Sequence, residues 1–246
     1  MRGEDTYGMA AFSQDSAVRT MQVIVVASRK GGCSKTTISA HLAVEAHRRG
    51  DGPVAAIDAD PMGGLTGWYD ARKAEEPVCV EPAALKARGL KATLAGLRAE
   101  GVRVVIIDTA PSSANDVRDL IAAATLVLVP VIPSPNDFRA IGETLDLIDA
   151  ADKPALFVVS NAATNAKLTN QALALLSQHG TVAAIGNEPV ILRTRTDFRS
   201  SMTDGRTVQE LKAASKSAEE VADLWTAVKA RLEKEEKRRG VRTASA

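Results

Sequence analysis

The sequence has 246 residues, of which 45% are hydrophobic and 25% charged, and its formal net charge is +1. These values suit one α/β domain, or two small ones, with a sizeable core, and the near-neutral balance excludes a global charge that would by itself point to nucleic acid. Aromatics make up only 3%, so the core must be built from Ala, Val, Leu and Ile, a composition that suits parallel strands under alanine-rich helices.

Residues 1–20 are polar and carry Glu4, Asp5 and Asp15. They lack the basic and apolar regions of a signal peptide, so a disordered lead is expected there. Residues 22–27 form a β-branched run that predicts a strand, followed at once by a glycine-rich turn. A helix is expected over 36–49, stopped by Gly50, then a strand over 54–58 and a short one over 77–80. Helix is expected over 83–100, broken near Gly89. The almost pure Val and Ile of 102–108 predicts a buried strand. Helix 114–124, strand 125–130, helix 136–151, strand 155–160 and helix 165–179 follow. A last short strand is expected at 190–192 and largely helical chain over 207–238. Strands alternating with helices imply a mostly parallel, doubly wound α/β sheet with helices on both faces. The expected division is a lead of 1–20, one domain over 21–238 and a flexible basic tail over 239–246.

Cys33 and Cys79 form neither a C-x-x-C pair nor a ligand cluster, which fits a reducing cytosol and no structural disulfide. The longest apolar stretch, 122–133, is too short to span a bilayer, so no stable membrane insertion is expected.

In parallel sheets ligands bind beyond the carboxyl ends of the strands. Three candidate segments begin there, at 28–37, 58–64 and 108–112, which is the reason to treat them as one site. A bound phosphate needs many N–H donors and positive charge. A glycine-rich turn running into a helix N-terminus supplies both, and a lysine and a hydroxyl serve the terminal phosphates and Mg²⁺. Lys30-Gly31-Gly32-Cys33-Ser34-Lys35-Thr36-Thr37 has that spacing in that strand–loop–helix context. It departs from G-x-x-x-x-G-K-(S/T): Arg29 stands at the first glycine and Ser34 at the second.

The same octapeptide resembles the deviant Walker A, KGGxGK(S/T)(S/T), of the ParA/MinD ATPases. Residues 56–63, Ala-Ile-Asp-Ala-Asp-Pro-Met-Gly, resemble that family's D-x-D-P-Q-G segment. Residues 105–111 resemble its Walker B strand, and 129–137 its P-x-x-P-S-x-x-D segment. Ile191-x-Arg193 with Gly205-x-x-Val208-x-Glu210 resembles the C-terminal stretch of ParA proteins. The resemblance implies ATP/ADP and Mg²⁺ as ligands. Lys30 would reach the partner's phosphates in an ATP-bound homodimer, Lys35 would hold β- and γ-phosphates, and Thr37 would contact the α-phosphate. Gly31, Gly32, Cys33 and Ser34 would offer amides. Thr36 and Asp108 would serve Mg²⁺, Asp60 would orient the attacking water, and Asp58 would support both water and metal. Asn161 would meet the adenine edge.

The resemblance further implies slow ATP hydrolysis stimulated by a ParB-like or other cargo adaptor. It implies non-specific DNA binding by the dimer, and a cytoplasmic protein that joins the nucleoid when ATP-bound, in plasmid or chromosome partition. Arg193, Arg195, Arg199, Arg206, Lys212 and Lys216 are the candidate DNA contacts, since phosphate neutralisation is all that non-specific binding requires. Ser34 adds a Cβ where backbone passes close to phosphate, and Met62 replaces the usual Gln. Both favour an alternative, a nucleotide-switched regulator that hydrolyses slowly or not at all. A MinD-like membrane role would need a bulky apolar face on the C-terminal helix, where 229–246 offers Leu232 and Val241. The twenty residues before the first strand are too few for a helix-turn-helix, so operator recognition is not expected.

Overall fold

The computed structural model describes residues 20–111, 114–163 and 166–244. The elements run β1 (Gln22–Val26), α1 (Lys35–Arg48), β2 (Val54–Ala59), α2 (Gly64–Asp70), β3 (Val78–Val80), α3 (Pro82–Arg88) and α4 (Leu90–Ala99). Then come β4 (Val104–Thr109), α5 (Ala114–Ala123), β5 (Leu126–Val131), α6 (Pro135–Ala150), β6 (Ala155–Ala162) and α7 (Ala166–His179). The chain continues through β7 (Thr181–Val182), β8 (Ala184–Ile185), β9 (Glu188–Pro189), β10 (Ile191–Arg193), α8 (Thr196–Met202), α9 (Val208–Leu211) and α10 (Lys216–Ala244).

The main sheet is parallel with the order β10-β6-β5-β1-β4-β2-β3, and β7 extends β10's edge by pairing with the start of β6. Strands β1, β2, β4, β5 and β6 are buried on both faces, as near-continuous apolar runs require, whereas β3, β7 and β10 are partly exposed. Alternate residues divide between two cores. Ile24, Val26, Ala56, Ile106 and Leu128 face α1, α2, α8, α9 and α10. Val23, Val25, Ile57, Ile107 and Val129 face α4 to α7. Strand β1 lies at the centre, between β5 and β4, where the chain's progress across the sheet reverses. The crevice at such a switch point is where open α/β sheets take ligands.

Several elements differ from expectation. Helix α2 was not expected. Its two glycines, Gly64 and Gly67, weaken its propensity, and it is stabilised instead by burying Leu65 and Trp68. The expected helix over 207–238 breaks: α9 is a four-residue turn, and Lys212 leaves helical geometry at φ −147°. Conversely, α10 runs to Ala244, past the boundary at 238, where a flexible tail was expected. In the turns just before that boundary Glu235 pairs with Arg231 (3.1 Å) and Arg238 (3.4 Å), the i,i+4 and i,i+3 contacts that support a helix. The expected disordered lead lies, apart from Thr20, outside the described residues.

Candidate nucleotide site

The loop after β1 is curved by two left-handed residues, Gly32 (φ 76°) and Ser34 (φ 71°). Such alternation turns successive amides toward one concave side, which makes an anion nest. Ser34 is the N-cap of α1 but its side chain makes no capping bond, and the first turn of α1 contains no acidic residue. The positive end of the helix therefore stays available to phosphate. Lys35 is buried and its Nζ donates to Lys30 O across the loop (3.0 Å). Cys33 Sγ also donates to Lys30 O (3.3 Å), so the buried thiol is turned inward. Ser160 Oγ, from β6, fixes the loop by donating to Cys33 O (3.1 Å).

Strand register sets the acidic side. Asp108 pairs across with both Val26 and Asp58, so the two carboxylates stand level beside the strand end that starts the loop. Both are fully buried. Thr36 Oγ1 (2.6 Å) and Ser39 Oγ (3.2 Å) donate to Asp108. Ser39 was missed from sequence, although its i,i+3 spacing from Thr36 places both on one helix face. Burial, and then Asp58, push the Asp108 carboxyl up to about 7, against the hydroxyls and Lys35. Asp58 accepts from Asp60 N (3.0 Å), Thr66 N (2.8 Å) and Thr66 Oγ1 (2.9 Å). Its oxygens thus hold the following segment and α2. Asp60 accepts from Met62 N (2.9 Å) and reaches the cleft, whereas Met62 is 88% exposed.

Lys30 lies on the opposite side of the loop. Its Nζ forms an ion pair with Asp137 Oδ2 of α6 at 2.5 Å, and Ser134, the N-cap of α6, also hydrogen-bonds Asp137. Arg29 pairs with Glu143 of the same helix (2.8 Å).

The loop opens into a cleft of about 450 Å³, within the range of small-molecule sites. Gly31, Gly32, Ser34, Lys35, Thr36 and Thr37 line one wall and Asp60 and Asn161 flank it. Asn161 is left-handed (φ 47°), and its Oδ1 accepts from Thr194 Oγ1 (3.0 Å). Arg193, Arg195 and Arg199, the first three of the candidate DNA contacts, border this cleft, and Arg193 and Arg199 are exposed. Arg195 is also paired with Glu220 of α10 (2.8 Å), and the Arg193 amide donates to the same carboxylate (3.0 Å). Arg206, Lys212 and Lys216 are exposed, Arg206 paired with Asp204 (2.6 Å) and Lys212 with Asp197 (3.6 Å).

Residues 24–208 match the CobQ/CobB/MinD/ParA nucleotide binding domain. The chain belongs to this MinD/ParA family. It is 29% identical over 208 residues to the maintenance of carboxysome distribution protein A of Halothiobacillus neapolitanus, covering 79% of this chain and 90% of that protein. Among solved structures it resembles apo McdA of Cyanothece (TM-score 0.67, 17% identity, 85% of this chain and 99% of that one). MinD of Pyrococcus horikoshii, complexed with Mg-ADP, is similar too (TM-score 0.66, 16% identity, 85% and 96%). Members of the MinD/ParA family are nucleotide-binding ATPases, so the cleft is read as a nucleotide site.

The residues fit Mg²⁺. It takes hard oxygen donors and keeps several waters, and the Thr36 hydroxyl and Asp108 carboxylate offer such donors side by side. When bound, the ion would neutralise charge on the phosphates. Among the described residues, no helix is long and apolar enough to cross a membrane.

Proposed function

We propose that the chain is a ParA-like ATPase that forms an ATP-sandwich dimer, binds DNA without sequence preference and positions or segregates a cargo through partner-stimulated hydrolysis. The observation that carries the reading is the pair of lysines on one loop: Lys35 turned into the nest, and Lys30 turned out of it onto Asp137. Lys35 serves the chain's own phosphates. Lys30 becomes available to a facing subunit's phosphates once it leaves Asp137, so triphosphate and dimer stabilise each other. Asp60, presented by Asp58, orients the attacking water, Asn161 meets the base, and Thr36 with Asp108 holds Mg²⁺. The contacts with DNA fall to Arg206, Lys212 and Lys216. The ion pairs of Arg206 and Lys212 are solvent-accessible and therefore weak, so they are readily exchanged for phosphates. Arg193, Arg195 and Arg199 act on the nucleotide side. Cytoplasmic protein would then join the nucleoid in its ATP form.

The test is size-exclusion chromatography with ADP or a non-hydrolysable ATP analogue, with and without duplex DNA. Dimer with the analogue alone, retained on DNA, supports the reading. Charge reversal at Arg206, Lys212 and Lys216 should abolish retention while nucleotide uptake persists; retention that survives at low salt rejects the DNA contacts. The left-handed Ser34 favours a second reading, a switch that binds ATP and dimerises with little turnover. Phosphate release measured with DNA present separates the two.

A further inference from the structure

The stretch Gly205-x-x-Val208-x-Glu210 lies outside the nucleotide loop, yet it is bolted to the segment that carries the catalytic candidates. Arg72, the second residue after α2, is the bolt. Its side chain is 2% exposed. Its two terminal nitrogens donate to Glu210 Oε2 (3.0 Å) and Oε1 (2.8 Å), to Gly205 O (2.6 Å) and to Glu76 O (2.8 Å), which uses all four of their N–H groups. Its guanidinium also lies over the Trp68 ring, 4.8 Å from the centroid, while Trp68 Nε1 donates to Arg206 O (3.1 Å). Contact is so close at Gly205 that a Cβ there would stand 2.3 Å from Arg72 N. Glu210 is fixed in turn by a capping box with Thr207. The next residue, Val208, donates its amide to His41 Nε2 (3.2 Å), and His41 Nδ1 donates to Thr37 O (2.7 Å) at the phosphate loop.

The other end of α2 belongs to the site. Asp58 holds Thr66 in its first turn, and Gly64 lies beside Thr36, where a Cβ would make an ordinary contact of 3.6 Å with the threonine methyl. Helix α2 has seven residues, two of them glycine, and no side-chain cap. It has little stability of its own, and its orientation is set at its two ends.

We infer that Arg72 and Glu210 are positioning residues for ATP hydrolysis: their buried fork fixes α2, and α2 fixes Asp58 and Asp60 against the phosphate loop. The inference rests on the ATPase reading and adds to it a pair that touches no nucleotide. It also joins the hydrolytic side to the segment carrying Arg206, a candidate DNA contact, so that a pull on that segment reaches Asp60 through α2.

The test uses the full chain with Glu210→Gln and Arg72→Gln. Glutamine keeps the capping box and removes only the charge facing Arg72, so Glu210→Gln remains informative if Arg72→Gln fails to fold. Three quantities are read: hydrogen exchange of α2 amides, affinity for a fluorescent ATP analogue with Mg²⁺, and phosphate release per folded molecule. Exchange in α2 should rise on the order of tenfold with α1 unchanged. Affinity should stay within about twofold, and release should fall on the order of tenfold or more, since small misplacements of catalytic groups are costly. Faster exchange with unchanged release would make the pair merely structural and overturn the inference. So would unchanged α2 exchange, or affinity falling in step with release. Wild type that takes up no nucleotide defeats the ATPase reading and the inference with it. Wild type that binds ATP without turnover defeats only hydrolysis. The pair is then judged by ATP-induced protection over residues 58–66, whose persistence in Glu210→Gln would overturn it.

Discussion

Replacing Ser34 by glycine should stabilise the chain. Ser34 sits at φ 71°, ψ 22°, with no side-chain capping bond to lose. A left-handed L-residue is strained by about 1–2 kcal/mol. Glycine removes that strain but has about 0.4–1 kcal/mol more unfolded-state entropy to give up. The balance is a gain of about 0.5–1 kcal/mol, and for a chain of this size about 2–4 °C in Tm per kcal/mol. Thermal or urea unfolding without nucleotide measures it, with Ser34→Ala as control, because alanine keeps the Cβ and hence the strain. Calorimetry with ATP and Mg²⁺ then reports what removing Cβ and hydroxyl from the cleft wall does to affinity, which should tighten. An unchanged or lowered Tm in Ser34→Gly, or an equal gain in Ser34→Ala, would refute the strain argument.

Gly205→Ala should lose about 2–4 kcal/mol from left-handed strain at φ 75° plus the clash with Arg72 backbone; denaturant titration reads it, and a loss under 1 kcal/mol contradicts the close contact. Asp137→Asn should release Lys30 and tighten the ATP-bound dimer by about two- to fivefold, as expected for a half-exposed lysine; sedimentation that shows a weaker dimer would count against Lys30 acting in trans. Two buried groups oppose each other with pH. His41, which burial lowers to about 4 while Thr37 O and Glu210 pull it up, is neutral when folded and binds a proton on unfolding below 6.5. It removes about 3 kcal/mol of stability as pH falls from 6.5 to 4. Asp108, raised to about 7, binds its proton in the folded chain first and adds about 4 kcal/mol as pH falls from 7 to 3.8. Relative to wild type, His41→Gln should therefore gain stability on acidification and Asp108→Asn should lose it; parallel profiles from urea titrations at pH 7 and 4 would refute both assignments.

What could be read from sequence divides by distance along the chain. The central strands were legible because their apolar runs are buried on both faces, and the phosphate loop because its spacing is local, whereas the two-residue strands β7, β8 and β9 were not expected. Helix α2 was not legible: nothing in Gly64-Leu-Thr-Gly-Trp-Tyr-Asp70 announces a helix, and the group that starts it, Asp58, belongs to a strand. The Lys30–Asp137 pair joins residues 107 apart, and His41 meets Val208 across 167, so neither leaves a local signature. The basic residues after β10 were read as charges without their partners. Glu220, 25 residues downstream of Arg195, holds that guanidinium at the border of the cleft. The Asp58 carboxylate is expected near metal and water; in the structure its oxygens accept from Asp60 N and Thr66 and so build the loop that presents Asp60.

The level row of Val26, Asp108 and Asp58 has a consequence for how such a chain can change over generations. Side chains in a strand alternate between faces, so inserting or deleting one residue within β2 or β4 ahead of its aspartate would reverse the parity of that strand and turn the carboxylate to the other core. The separate ribbon of β8 and β9 is free to lengthen or shorten, because no carboxylate of the site depends on its count. Length variation among kin of this molecule should therefore spare the stretches from 54 to 60 and from 104 to 109 and collect beyond His179.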